Sequence, residues 1–340
     1  MRAQIENWLL SYWYGTKRPP WLLRSLEPVY QTVFRYQKAR AEKDSGQNQV
    51  NVPLIVVGNI TAGGTGKTPL VIQLSKLARE LDLKPGIAST CYGRESRETV
   101  SVTPESDPRL CGDEPVLLAH RTGMPVVVAS RRLEAIKTLE ALGVDIIISD
   151  DGLQQASLSA DIEICVIDGS RGLGNGFQIP AGPLREPASR LNIVDFVVSN
   201  GPWAECPKDL EVHQMDLQCD SACALDADTT VSLETFRQKY AGTTVHAMAG
   251  IGNPDRFFSM LQTLGFTTQT HVFPDHHTFK EKDFEPFKNA SAIIMTEKDA
   301  VKCRSLGLEN AWYLPVNCQL SKEFETRMKD QLKRLTGDVT

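Results

Sequence analysis

Residues 58–69 read GNITAGGTGKTP, a stretch whose residue types can hold a phosphate chain. Glycines let backbone N–H groups converge on phosphate oxygens, a lysine reaches the β and γ phosphates, and the following hydroxyl can bind Mg²⁺. The strict pattern G-x-x-x-x-G-K-[ST] requires glycine where Thr61 stands, so the strict test fails. Gly63, Gly64 and Gly66 still crowd the turn, and Lys67 and Thr68 follow in place. Pro69 is compatible, because in a first helical turn its missing N–H would have had no partner. The nucleotide-contacting stretch is therefore expected to be Thr61, Ala62, Gly63, Gly64, Thr65, Gly66, Lys67 and Thr68. Gly63 to Thr68 would face the ligand and Thr61 would begin the turn. A glycine-rich turn without a ligand is the bland alternative.

A nucleotide site also needs acids for its metal. VDIIISDDG at 144–152 ends a buried strand in Asp150 and Asp151, the arrangement of a Walker B strand, although Asp-Asp-Gly alone also suits a turn. CGDEPVLLA at 111–119 puts Asp113 and Glu114 at a helix start, where carboxylates either cap the helix or do chemistry. FPDHHTF at 273–279 offers Asp275, His276 and His277 in a loop. That loop is either an exposed turn or a metal site of the Asp-His-His phosphoesterase kind, whose other motifs this chain lacks. Arg171, in DGSRGLGNG, and Arg185, in IPAGPLREP, could each meet phosphate or pair with a carboxylate. TEKD at 296–299 is not an N-K-x-D guanine box and reads as a capped helix start. A second loop lysine of the partitioning ATPases is also missing, since Ala62 stands there, and ATP is the expected nucleotide.

Strands and helices must alternate to present these groups. Apolar runs predict strands at 52–58, 85–89, 125–129, 144–149, 162–167 and 194–199, and periodicity predicts helices at 67–82, 112–122 and 131–142. This is a mostly parallel sheet with helices on both faces. Residues 201–232 read as linker or edge structure. Alternation then resumes with TTVHAMAG as strand, NPDRFFSMLQTLG as helix, SAIIMT as strand and an amphipathic end from Ser321.

At 340 residues the chain is expected to form two domains. Its eight cysteines show no C-x-x-C and no metal-ligand spacing, and no signal peptide is read, so reduced cytosolic thiols are expected. The chain carries net charge −5, yet up to Asp44 eight Lys or Arg against four Asp or Glu give +4, leaving −9 for the rest. Trp8, Trp13 and Trp21 and four tyrosines share this basic end, and Leu22, Leu23, Leu26, Val29, Tyr30, Val33 and Phe34 recur at helical spacing. The helix is too interrupted to span a bilayer. It could lie on a membrane surface or dock on the protein's own core. No nucleic acid is expected as a partner.

In order, VGNITAGGTGKTP, GDEP, SDDGLQ, EICVIDGSRGLGNG, PAGPLREP, GIGNPDRFF, FPDHHTF and TEKDAVK resemble the tetraacyldisaccharide 4′-kinases (lipid A 4′-kinases) of Gram-negative bacteria, from about residue 53 to 302. The resemblance implies an α/β fold: a P-loop NTPase-like α/β/α domain and a second, smaller α/β/α domain joined by a short two-stranded linker. The corresponding ranges are 1–45 for a membrane-associating aromatic and basic region, 46–215 for the kinase domain, 216–240 for the linker and 241–340 for the C-terminal domain. It implies a peripheral enzyme on the cytoplasmic face of the inner membrane. That enzyme would use ATP and Mg²⁺ to phosphorylate the 4′-hydroxyl of a tetraacylated glucosamine disaccharide 1-phosphate, a glycolipid. Lys67 and Thr68 would be the P-loop pair; Asp150, Asp151, Glu114 and Thr68 the metal's ligands; Asp113 the base, assisted by His276.

Two departures from the family's pattern spare the proton path but could alter substrate contacts or turnover. Thr90 and Cys91 replace the usual Arg-Gly, with Arg94 near enough to compensate, and Leu153 and Gln155 replace Phe and His. The alternative outside biosynthesis is a membrane-surface P-loop ATPase acting as a nucleotide-driven switch.

Overall fold

The computed structural model describes residues 2–45, 50–90, 98–155, 157–225 and 229–337. Helices α1 (Arg2–Trp13) and α2 (Trp21–Ser45) precede a nine-stranded sheet built first from β1 (Leu54–Gly58), α3 (Lys67–Arg79), β2 (Pro85–Ser89) and β3 (Val100–Val102). It continues through α4 (Pro108–Cys111), α5 (Asp113–Thr122), β4 (Val126–Val128), α6 (Arg132–Ala141), β5 (Ile146–Asp150), β6 (Ile162–Asp168), β7 (Phe196–Asn200) and β8 (His213–Gln218). A six-stranded sheet follows, from β9 (Ser221–Ala224), β10 (Thr230–Ser232), α7 (Leu233–Lys239), β11 (Thr244–Ala249), α8 (Pro254–Thr263) and β12 (Thr267–Val272) to α9 (Glu281–Phe284), β13 (Ile293–Thr296), α10 (Glu297–Cys303) and β14 (Ala311–Leu314). The chain ends with β15 (Asn317–Leu320) and α11 (Lys322–Thr336).

The larger sheet runs β15-β8-β7-β6-β1-β5-β2-β4-β3 and the smaller β10-β9-β14-β13-β11-β12. Every pairing from β8 to β4 in the larger sheet is parallel; only the edge strands β15 and β3 run antiparallel. The central strands are apolar on both faces because helices cover both. Ile55 and Val57 join the core under α3, α5 and α11, while Leu54 and Val56 join the core under α6. β1 lies between β5 and β6, so the loop leaving β1 and the acids ending β5 open side by side at the strands' carboxyl edge, where α/β sheets bind ligands.

The expected C-terminal unit, 241–340, divides. β15 pairs with β8 on the larger sheet, and Phe324, Met328 and Leu332 of α11 sit in the same core as Ile55 and Leu70. The second lobe is thus an insertion from β9 to β14, and the expected linker, 216–240, breaks after β8. The chain crosses between lobes twice, at 219–220 and at 315–316, beside the antiparallel β8–β15 pair.

Candidate active site

A cavity of about 740 Å³ lies between the lobes, lined by Gly63 to Thr68, Asp113, Glu114, Asp150, Asp151 and Arg185 from the first lobe and by Gly252, Asp275, His276 and Lys298 from the second. The residues expected to hold the nucleotide and metal and to move the proton therefore converge, with two exceptions. Thr61 is buried and paired with Leu184, and the Ala62 N–H donates to the Pro183 carbonyl at 2.8 Å. These two clip the loop to the 183–185 segment, and neither lines the cavity.

The loop's shape is set by two asparagines. Asn59 Nδ2 donates to the carbonyls of Thr61 (2.8 Å) and Gly63 (3.2 Å), and Asn200 Nδ2 donates to that of Thr65 (3.0 Å). Gly66, at φ 98°, needs glycine twice over, because a Cβ there would overlap Asn200. Lys67 opens α3 and reaches Asp151 Oδ1 at 3.4 Å, while Arg185 NH1 meets the other oxygen at 3.5 Å.

Adjacent acids sit in different surroundings. Burial pushes the Asp150 carboxyl up to about 7, reinforced by Glu114 and Asp151 against the pull of Lys67. Burial also raises Asp151, but the charges of Lys67, Arg185 and Arg132 outweigh it and hold that carboxyl low. Under the pair lies Arg132, 2 % exposed, whose NH2 donates to the Asp150 carbonyl and to Thr90 Oγ1, both at 2.8 Å. Burial lowers its guanidinium to about 10, partly offset by Asp151 and Asp150. Thr90 is therefore engaged by a buried arginine; Cys91 and Arg94 lie outside the described residues.

At the start of α5, burial would raise Asp113, yet the contact with His276 and the charges of Lys298 and Lys302 hold it well below the usual carboxylate range. His276 Nδ1 lies 3.3 Å from Asp113 Oδ2, Lys298 Nζ 3.9 Å and Lys302 Nζ 4.0 Å, and all three come from the second lobe. The Asp113 contact in turn raises the imidazole, against its burial. His276 has φ 58°, a left-handed conformation uncommon for a non-glycine residue. Its neighbour His277 turns away to Asp283 at 3.0 Å, so the two histidines do not share a metal site. Lys298 also holds Glu114 (3.0 Å) and Asp275 (3.5 Å), and the Thr296 hydroxyl caps α10 by accepting from the Asp299 N–H.

Among the described residues no three His, Cys, Asp or Glu side chains form a metal cage. Asp150 Oδ1 is nonetheless buried without a hydrogen-bond partner, and Asp151 Oδ1 is buried with only the Lys67 ammonium, 3.4 Å away, beside it. Mg²⁺ is commonly held by one or two carboxylates together with substrate phosphates, and this all-oxygen set fits that habit.

The N-terminal helices dock beside the cavity. Tyr14 OH donates to the Ala62 carbonyl (3.3 Å), Trp13 Nε1 to Pro180 O (3.1 Å) and Tyr30 OH to Arg185 O (3.0 Å). The other face of α2 leaves Trp21, Leu22, Leu26, Val29, Val33 and Tyr36 exposed. Core docking and an unpartnered apolar stripe thus coexist on one helix. No described helix is long and apolar enough to cross a membrane.

The family model described as tetraacyldisaccharide-1-P 4′-kinase (LpxK) matches residues 19–333. A tetraacyldisaccharide 4′-kinase of Hahella chejuensis is 43 % identical, covering 96 % of this chain and 97 % of its own length. That of Shewanella frigidimarina is 43 % identical, with 97 % of each chain covered. Among solved structures, LpxK of Aquifex aeolicus in complex with ATP superposes with a TM-score of 0.75 at 27 % identity, covering 92 % of this chain and 99 % of that one.

Proposed function

The chain belongs to the tetraacyldisaccharide 4′-kinase family and is an ATP-dependent kinase for the 4′-hydroxyl of tetraacyldisaccharide 1-phosphate in lipid A synthesis, and from that premise we propose how its residues divide the work. The observation that carries the proposal is the contact of Asp113 with His276 across the lobes, 3.3 Å apart on the wall of the cavity that the phosphate loop also lines.

The backbone of Gly63 to Thr68 and the Lys67 ammonium hold the triphosphate. Thr68, Asp150, Asp151 and Glu114 hold Mg²⁺, which when bound neutralises charge on the β and γ phosphates. Asp113 takes the proton of the 4′-hydroxyl as that oxygen bonds to the γ-phosphorus and the bond to the β-γ bridging oxygen breaks, releasing ADP. His276 orients the carboxylate and arrives with the second lobe, so the base is complete only when the lobes meet. Arg185, on the segment that clips the loop, shares Asp151 with Lys67, so Asp151 stays paired when the Lys67 ammonium turns to phosphate.

The glycolipid acceptor explains the stripe on α2. Six apolar side chains at about 1 kcal/mol or more each give several kcal/mol on leaving water, and basic residues alongside favour anionic headgroups. The docked face anchors α2 to the segment bearing Arg185, so the acyl chains stay in the membrane while the sugar enters the cleft. We place the enzyme as a peripheral protein on the cytoplasmic face of the inner membrane. Removing residues 1–45 should weaken sedimentation with anionic vesicles; unchanged partition would overturn the membrane role of α2.

The family match does not favour the nucleotide-driven switch. Supplied with labelled ATP and the disaccharide lipid, the protein should yield labelled lipid in proportion to acceptor. Vesicle-stimulated release of free phosphate without labelled lipid would restore the switch.

A further inference from the structure

The segment GIGNPDRFF stands apart from the proposed proton path and metal set, yet it packs on the phosphate loop. A Cβ built on Gly252 would lie 2.9 Å from the Gly64 nitrogen, so this glycine lets the second lobe seat directly on the loop. Arg171 NH1 donates to the Gly252 carbonyl at 3.1 Å, and Asn253 Nδ2 donates to Asp168 Oδ2 at 3.0 Å. Two residues into α8, Arg256 NH2 donates to the Asn200 side-chain oxygen and, at 3.2 Å, to the Asn200 carbonyl, while NH1 lies 3.5 Å from Asp168.

Asn200 is 2 % exposed and its amide orientation is determined by its partners. Its oxygen faces a guanidinium, which only donates, and its nitrogen faces the Thr65 carbonyl, which only accepts. In a planar trans peptide the C=O and the following N–H point opposite ways. Holding the Thr65 carbonyl toward Asn200 therefore turns the Gly66 N–H away from it. Asn59 does the same for Gly64 by gripping the Gly63 carbonyl, and it does so from within the first lobe. The difference is that Asn200 is tied to the second lobe and Asn59 is not.

We propose that Arg256 is a positioning residue for phosphoryl transfer. Acting through Asn200, it sets the Thr65–Gly66 peptide in its phosphate-binding orientation when the second lobe is seated. This rests on the kinase reading for its substrate, ATP. The loop then has one amide aimed permanently and one aimed by closure, so full grip on the triphosphate and assembly of the Asp113–His276 pair occur together.

The experiment is a pair of double-mutant cycles on the full-length protein, read as the Kd for ATP and as KM for ATP and for the disaccharide lipid. Arg256→Ala and Asn200→Ala should each weaken ATP binding about 20-fold, the range for losing a hydrogen bond to a charged group. The double variant should be no worse than about 40-fold, whereas Arg256→Ala with Asn59→Ala should multiply. The acceptor KM should stay within threefold, which a general loss of structure would not spare. Arg256→Lys, which keeps the charge and the stem but loses the fork, should weaken ATP binding about fivefold and serves if the alanine variant does not fold. An Asn200–Arg256 double near 400-fold, or Arg256 variants within threefold of the parent in ATP affinity, would overturn the proposal. If the parent binds ATP but forms no lipid product, the kinase reading fails, and the ATP cycles still decide the relay.

Discussion

Two pairs of neighbouring acids, Asp113–Glu114 at the start of α5 and Asp150–Asp151 at the end of β5, line one cavity and differ in what surrounds them. The β5 pair is dressed from its own lobe: Lys67 and Arg185 hold Asp151, and Arg132 lies beneath. The α5 pair is dressed from the other lobe, by His276 and Lys302 at Asp113 and by Lys298 at both acids. Chemically identical carboxyls are thereby pushed in opposite directions, Asp150 up and Asp113 down. A pair whose charge balance is internal suits a permanent metal platform. A carboxylate balanced across a cleft, as Asp113 is by His276, suits a group that acts only on closure.

The strongest test of that contrast is Asp113→Asn, expected to lower turnover by roughly 10²–10⁴-fold, the range for a general base, while ATP affinity stays within threefold. Turnover within tenfold of the parent would mean that both pairs merely balance charge. Asp150→Asn should raise the Mg²⁺ concentration for half-maximal rate by about tenfold, with recovery at excess Mg²⁺; an unchanged requirement would move the metal off β5. The smallest effect sharpens the contrast by pH. His276 is raised by Asp113, so its share of interlobe attraction is full below the ordinary imidazole value and fades as pH rises through the raised one. Asp113 is lowered, so its share is full above the ordinary carboxylate value and fades as pH falls through the lowered one. The contact is therefore complete from above the carboxylate range up to the His276 transition. The His276 ring resonance should titrate above about 6.5 in the parent and return toward that value in Asp113→Asn.

Much of the first lobe was legible because strands buried on both faces write themselves as apolar runs: LIVVG is one, and III ahead of Ser149 and Asp150 is another, each leading to the site. Helices α3, α5 and α6 announced themselves by periodicity. The edge pair was not legible, since HQMDLQ and NCQL are short, polar and half exposed and find each other across the entire second lobe. Hence the expected C-terminal range, 241–340, takes in a strand and a helix that belong to the first lobe's sheet and core. Site residues carried by local motifs surfaced, whereas Arg132, Asn200 and Arg256 are single polar letters whose partners lie 18, 135 and 56 positions away. No spacing rule reaches that far. Thr61 and Ala62 belonged to the motif's text but not to its binding surface, because Thr61 is buried opposite Leu184 with its carbonyl held by Asn59, and the Ala62 N–H is spent on Pro183.

The return of β15 and α11 to the first sheet has a consequence for the order of synthesis. The apolar face of α3 is completed by Phe324, Met328 and Leu332, and Gln73 and Glu80 find Glu325 and Lys329 there. None of these exists on the ribosome until the whole second lobe, from Ser221 to Leu314, has been made, a wait of roughly ten seconds at ~5–20 residues per second. The nucleotide-binding lobe is begun first and finished last, and the second lobe has the opportunity to fold as a closed loop while the first still awaits its final helix.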